Sequence, residues 1–225
     1  MNKLNFLSNI PARERNNIVA LDCEMVGSVD KKSLLARATL LNGHGDVILD
    51  EFCMPSEEIV EMRTPIHGIT IEQLEEKQSD AQLKSKIAKI LKNKKLVGHS
   101  VDKDLAVLGI DHRLVRDTAY KFSWTSSLCP KSPSLKNLAM AKLGVEIQKG
   151  EHDSYEDTLA ALMIYAKEYH FWDRTIGEQE KFRKQKYRWN NRRESPFYCA
   201  KCDILTGSNT QLKQHLSGKK HNDRQ

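Results

Sequence analysis

The stretch IVALDCEMV, residues 18–26, constrains the fold of this chain more than any other. It starts after charged and polar residues and is apolar enough to be a buried central strand. Within it Asp22 and Glu24 stand two apart, so on a strand they project from one face while Cys23 and Met25 project from the other. Two carboxylates about 4 Å apart repel by roughly 4 kcal/mol at an effective dielectric of about 20, and by more in a dry site. A sheet face washed by water relieves that repulsion and is the simpler reading of an isolated D-x-E. The preceding IVAL favours burial instead, and a buried pair needs a cation. Hard divalent ions such as Mg²⁺ or Mn²⁺ take carboxylate oxygens and keep positions open for water and phosphate. A two-ion phosphodiesterase site requires several such carboxylates converging from separate elements.

The rest of the chain supplies those elements. LLARATLLN (34–42), the turn GHGD and VILDEFCM (47–54) read as a hairpin with a four-residue loop. DAQLKSKIAKILKN (80–93) places apolar residues at 83, 87, 90 and 91, a helical spacing, and KLVGHS follows as a short buried strand. DKDLAVLGI (102–110) predicts a short helix and HRLVRDTA (112–119) a strand. SPSLKNLAMAKLG (132–144) predicts a helix capped by Ser134 and stopped by Gly144. A last helix starts within GEHDSYEDTLAALMIY (150–165) and runs to residue 168 or 169. Strands first, then alternating helices and strands, predict an α/β domain in three layers, a mixed sheet flanked by helices.

Two segments offer further acids. VGHSVDKDLAVL carries Asp102 and Asp104 at a helix start, where a carboxylate ordinarily caps the helix or meets its dipole. EHDSYED (151–157) carries His152, Asp153, Glu156 and Asp157. D-S-Y-E and S-Y-E-D both fit a capping box, which accounts for Glu156 and for one of Asp153 or Ser154. It does not account for His152, which lies outside the helix, and does not require Asp157 in the first turn.

The formal net charge of +6 conceals an asymmetry: residues 1–173 carry 23 Lys and Arg against 25 Asp and Glu, while residues 174–225 carry 13 against 5. A near-neutral body with a basic tail suits a protein that brings an anionic polymer to a site elsewhere on itself; a solvated arm is the plainer reading, and charge alone leaves the two level. No apolar run approaches the roughly 18 residues of a membrane helix, and the N-terminus lacks the long apolar segment of a secretory signal, so a soluble intracellular protein with no membrane partner is expected. Of the five cysteines, Cys23, Cys53 and Cys129 are scattered through or beside apolar segments, as buried thiols of a reducing compartment are.

The other two cysteines belong to FYCAKCDILTGSNTQLKQHLSGKKH, which reads C-x2-C-x12-H-x5-H through Cys199, Cys202, His215 and His221. Two thiolates on a hairpin and two imidazoles on a helix make a closed tetrahedral Zn²⁺ site, with Ser208 and Gln211 as a capping box for the helix. A module of about 30 residues has too little core to fold alone, so this zinc is structural. The ending HLSGKKH resembles the matrin-like, double-stranded-RNA-binding zinc fingers and departs from transcription-factor fingers. The resemblance implies recognition of A-form duplex by shape and 2′-hydroxyls, with protein binding as the alternative.

The blocks ALDCEMVG, LAR followed by a hairpin, RTPIHGIT, LVGHSVDKDL, SLKNLA and IQKGEHDSYEDTLAALMIY together resemble the DEDDh branch of the 3′→5′ exonucleases, over about residues 17–169. The likeness is greatest to the RNA exonuclease 4-like and interferon-stimulated exonuclease-like group. It implies a ribonuclease H-like fold in which Asp22, Glu24, Asp104 and Asp157 hold two Mg²⁺ or Mn²⁺ ions on the terminal phosphodiester, with Glu24 also close to the reacting atoms. It implies His152 as general base and nucleoside 5′-monophosphates as products. It selects Asp104 over Asp102, which is left as a cap. Met25, Arg63 and Thr64 are its implied substrate contacts; Leu40 or Leu41 against the bases, and His67 and His99 beside the terminal sugar, are weaker candidates whose plainer readings are structural. SWTSS (123–127) reads as loop.

The expected organisation is an N-terminal extension (1–16), an exonuclease domain (17–173), a basic helix or linker (174–195) with Phe182, Tyr187 and Trp189 among its cations, and a ββα zinc finger (196–225). The expected protein is a nuclear or nucleolar 3′→5′ exoribonuclease in RNA processing, whose finger and linker hold structured RNA. A DNA exonuclease and a catalytically inactive nucleic-acid-binding adaptor are the alternatives.

Overall fold

The run 18–26 lies inside strand β1 (Ile18–Ser28), whose residues are buried almost without interruption at the centre of the sheet. β2 (Ser33–Asn42) runs antiparallel along one edge and β5 (Lys95–Gly98) runs parallel along the other. Outside these lie β3 (Val47–Phe52), antiparallel to β2, and β6 (Val115–Asp117), parallel to β5, giving the order β3–β2–β1–β5–β6. β4 (Ile59–Glu61) pairs with the far end of β1. This computed structural model describes residues 6–122, 133–172, 198–202, 204–205 and 209–218. The linker 174–195 with its aromatics, the loop 123–127, Ser208 and His221 lie outside the described residues.

The hairpin turn is set by Asn42, whose side-chain oxygen accepts the amides of His44 (2.8 Å) and Asp46 (3.0 Å). Residues ahead of β1 close onto this turn: Leu7 and Ile10 are buried, and helix α1 (Ala12–Arg15) ends with the Arg15 carbonyl accepting the Gly43 amide. A Cβ at Gly43 would lie 2.6 Å from that carbonyl oxygen, so the contact requires glycine.

Two short helices, α2 (Thr64–His67) and α3 (Ile71–Leu74), precede α4 (Asp80–Leu91), whose buried Leu83, Ile87 and Leu91 realise the helical spacing of the sequence. They share one core with Val19, Leu21 and Cys23 of β1 and with Val101, Leu105 and Leu108 of α5 (Val101–Leu108). The strand expected over 112–119 is shorter, because Asp117 accepts the Ala119 amide and the chain turns into α6 (Thr118–Phe122). The helix expected over 132–144 begins as α7 (Leu135–Leu138) with Ser134 accepting the Asn137 amide, then widens into a π turn over Ala139–Leu143 before Gly144.

The last long helix, α8 (Ser154–Lys167), packs across β1, β2 and β5 and is buried continuously from Ala160 to Ala166. It is not amphipathic, because the sheet covers one side while α6, α7, the π turn and α9 (Tyr169–Trp172) cover the other. Trp172 is fully buried, edge-on to Tyr165 at 5.2 Å. The sheet with helices around it is the mixed α/β fold expected.

The chain divides into two compact units, Met1–Asp173 and Arg174–Gln225. In the second unit β7 (Tyr198–Cys199) pairs antiparallel with β8 (Ile204–Leu205), followed by α10 (Asn209–Ser217). No described helix is long and apolar enough to cross a membrane.

Candidate active site

β5 accompanies β1 only from Ile18 to Ala20, so beyond Ala20 that edge of β1 is open. Asp104, on the first turn of α5, closes the gap: its Oδ1 accepts the Cys23 amide at 3.2 Å. The chain enters α5 through Ser100 in the left-handed conformation (φ 59°), and Asp117 holds it there by accepting the amides of Ser100 and Val101, both at 2.9 Å. Asp102 is exposed, so the capping role expected of it falls to Asp117, a residue from the neighbouring strand. From α8, Ser154 docks on β1 by donating to the Asp22 carbonyl (3.4 Å), and Asp157 follows one turn later. Asp22 and Glu24 from β1, Asp104 from α5 and Asp157 from α8 thus meet where β5 ends, the usual place for a site in an α/β sheet.

The electrostatics show how crowded this place is. Burial first, and the Asp157 charge next, push the Asp22 carboxyl up to about 7. Burial and then Asp22 push Glu24 up to about 8. Asp104 is raised well above the carboxylate range by burial, then by Asp22 and Asp117, and Asp157 is raised chiefly by burial. Among the described residues a cation answers Asp22 and Glu24. Arg37, paired with Glu24 in the register of β1 and β2, favours the ionised forms of Asp22 and Glu24. Its guanidinium is already bidentate to Asp50 (2.8 Å twice) and stacked over Phe52, so its charge is largely spoken for.

Oε1 of Glu24 and Oδ1 of Asp157 are buried and accept no hydrogen bond. Buried anionic oxygens without partners, facing further carboxylates, fit hard divalent cations.

His152 lies just ahead of α8, its Nδ1 3.4 Å from Asp157 Oδ2 and its side chain 39% exposed. Its amide donates to the Ile66 carbonyl at 2.6 Å, so the RTPIHGIT block holds the histidine segment in place. Gly68 turns this block with φ 71°, a left-handed conformation that glycine adopts without strain. Thr64 donates its hydroxyl to the Ile69 carbonyl (2.7 Å) and closes that turn. Arg63 bonds Glu61 (3.3 Å) and Ser33 (3.2 Å). Met25 is half-buried and lines a groove of about 440 Å³ with Lys32, Ser33, Lys103, Ala106 and Val107. Leu40 and Leu41 are wholly buried and belong to the core. His67 is buried and accepts the Ile69 amide, while His99 bonds Thr118 (2.9 Å) and is pushed down to about 4 by burial.

Asp153 is the N-cap of α8, accepting the Glu156 amide at 3.0 Å. Glu156 does not reach back to complete a capping box; its Oε2 accepts the Gln148 amide at 3.0 Å. In the second unit the ligand atoms of Cys199, Cys202 and His215 lie within 4.8 Å of one another, a Cys2His group suited to zinc.

Residues 19–165 match the family model described as Exonuclease. The chain belongs to the exonuclease family. Residues 197–221 match a zinc finger of the C2H2 type. This exonuclease is 38% identical over 175 residues to the RNA exonuclease 4 of Mycosarcoma maydis, covering 75% of this chain and 47% of that one. It is 39% identical over 162 residues to the RNA exonuclease 4 of Saccharomyces cerevisiae, covering 70% and 56%. The chain therefore spans about half the length of these relatives. Among solved structures it resembles the Neurospora crassa Pan2 catalytic unit (TM-score 0.61, 26% identity, 75% of this chain and 30% of that one). It also resembles the Saccharomyces cerevisiae Pan2 pseudoubiquitin hydrolase-RNA exonuclease module in complex with AAUUAA RNA (TM-score 0.60, 25% identity, 82% and 33%).

Sequence reading of this exonuclease missed Arg37, Asp117 and Gln148. A polar residue in a hairpin, at the end of a short strand or in a loop is indistinguishable from a solvated one until its partner is known. The one signal was spacing: Gln148 lies four residues before His152, inside a block already singled out.

Proposed function

We propose that this exonuclease hydrolyses RNA from the 3′ end and releases nucleoside 5′-monophosphates, using two divalent ions, Mg²⁺ or Mn²⁺. The observation that carries the proposal is the convergence of Asp22, Glu24, Asp104 and Asp157 from three elements, with buried oxygens left unpartnered, beside an accessible histidine. Those four residues would hold the ions, which supply Lewis-acid polarisation of the scissile phosphate and of the attacking water. His152, held at the rim by Asp157 and Ile66, accepts the proton of the water that attacks phosphorus. The bond from phosphorus to the preceding 3′ oxygen breaks, and the terminal nucleotide leaves with its phosphate at the 5′ position. Burial of Glu24 and Asp104 keeps bulk water from screening these charges.

The Met25 groove, with Lys32 and Lys103 at its edge, suits the penultimate nucleotide, and Arg63 the terminal sugar or phosphate. The finger, closed on zinc by Cys199, Cys202, His215 and His221, and the basic segment 174–195 hold structured RNA, and the site of action is the nucleus, including the nucleolus. The names of the relatives, the RNA bound in the yeast Pan2 structure and the basic tail support this reading.

The test is degradation of matched 3′-labelled RNA and DNA oligonucleotides, single-stranded and with a 3′ overhang, by the full chain and by the chain without residues 174–225. Metal-dependent mononucleotide release from RNA, lost in Glu24→Gln, is the expected result. Equal or faster release from DNA would reassign the substrate, and RNA affinity unchanged by the truncation would remove the tethering role.

A further inference from the structure

Gln148 meets the side chains of both His152 and Asp157. Its Nε2 donates to Asp157 Oδ2 at 2.8 Å and lies 3.4 Å from His152 Nδ1, which is itself 3.4 Å from the same carboxylate oxygen. The three atoms form a closed triangle at the rim of the acidic site. We propose that Gln148 is a positioning residue: its amide fixes the imidazole of His152 against Asp157, so that the ring faces the reacting water in one orientation. The inference rests on the reading of His152 as the base.

Backbone geometry makes the case independent of the contact distances. Gln148 has φ 55°, in the left-handed region that glycine occupies freely and a glutamine does not. Strain of this kind persists only where the surroundings enforce it, and here they do. The Gln148 amide donates to Glu156 Oε2 at 3.0 Å, and its carbonyl accepts Lys136 Nζ at 2.9 Å. Two charged side chains, from α7 and α8, hold the backbone of one loop residue so that its side chain turns inward. A glycine would accept the same backbone without strain and offer no amide. The strained glutamine makes sense as the carrier of the donor.

Nothing else in the loop can replace it. Lys149, Gly150 and Glu151 between Gln148 and His152 are all exposed, and His152 is anchored through its backbone amide to Ile66, which leaves the ring free to rotate about its side-chain bonds. Asp157 alone is a poor orienter, because its oxygens are also wanted by the ions. The glutamine NH₂ group donates to the Asp157 oxygen that faces the imidazole Nδ1, and it carries no charge that would compete with a cation. With the Nδ1 proton directed at this carboxylate, the Nε2 of the ring is left unprotonated to accept the proton of the water. Outer partners of this kind orient ligands and bases, and removing one lowers activity or metal affinity by roughly 10–100-fold.

The test uses the full chain with Gln148→Gly, which relieves the backbone and deletes the amide, and Gln148→Asn, which tolerates the left-handed backbone and withdraws the amide by one methylene. Thermal unfolding, the imidazole ¹⁵N signals of His152 in the metal-free protein (assigned against His152→Ala) and steady-state kinetics on a 3′-labelled RNA are measured together. Both variants are expected to unfold no lower than the parent, to shift or average the His152 ring signals, and to lower kcat by roughly 10–100-fold with KM changed by less than about threefold. Ring signals identical to those of the parent would overturn the proposal, as would a fall in unfolding temperature that tracks the loss of activity. If the parent protein shows no exonuclease activity, the proposed function fails, while the ring signals still decide whether Gln148 positions His152.

Discussion

Replacing Asp22 by asparagine is expected to abolish metal-dependent activity and, in the metal-free protein, to raise stability. In the folded chain the Asp22 carboxyl is raised from 3.8 to about 7, by burial and then by the Asp157 charge. A rise of about 3 units, at about 1.36 kcal/mol per unit, sets the ionised native state about 4 kcal/mol below the stability it would have with an unperturbed carboxyl. The folded pKa lies above the unfolded one, so the native state holds the proton more tightly. The favourable contribution is therefore complete below about pH 4 and is lost as pH rises to about 7. Asparagine has nearly the same shape and no charge, so it escapes that loss. Solvent at the partly open side chain reduces the gain, and about 1–3 kcal/mol is expected at pH ~8. Urea unfolding in a chelating buffer measures it directly. A difference between Asp22→Asn and the parent that is the same at pH ~4.5 as at pH ~8 would refute the reasoning. Divalent ions should then reverse the order: ion at about 100 times its Kd stabilises the parent by about 2.7 kcal/mol, and the variant, missing a ligand, gains less. Equal gains would take Asp22 out of the ion site.

Three other substitutions separate roles that lie next to one another. His152→Ala, at a side chain 39% exposed, should change stability by no more than about 0.5 kcal/mol and lower kcat by roughly 10²–10⁴; an unchanged kcat would exclude general-base action. Asp153→Ala removes the acceptor for the Glu156 amide and should cost about 1 kcal/mol in urea unfolding, with kcat within about threefold of the parent; unaltered stability would show the cap idle. Cys199→Ser should remove zinc from the second unit and with it the dispersed amide signals of α10; retention of stoichiometric zinc by atomic absorption would contradict a site that needs both thiolates.

Much of this was legible in one dimension because the relevant signals are local. β1, the hairpin and α4 follow from runs and spacings whose period matches their geometry. The same holds for Ser134 and for Asp153, whose capping bonds reach three residues along the chain. Where reading failed, the partner was distant. Asp102 fits a helix start as well as any aspartate does, but the open amides at Ser100 and Val101 are taken by Asp117 from a strand placed beside them by parallel pairing. Glu156 fits a capping box, yet its carboxylate goes to Gln148.

The same division runs through EHDSYED. Composition and pattern determined that a helix begins there, that Asp153 or Ser154 caps it, and that a histidine stands outside it. Only the packing of α8 across β1 decided the rest. It brings Ser154 onto the Asp22 carbonyl and Asp157 to the buried carboxylates, and it leaves His152 at the rim and Asp153 with the helix amide. The physical reason is range. Capping and periodicity act over a few residues and are written in the chain itself, whereas the desolvation and mutual repulsion that make these carboxylates a cation site arise only when strands and helices far apart in sequence are folded together.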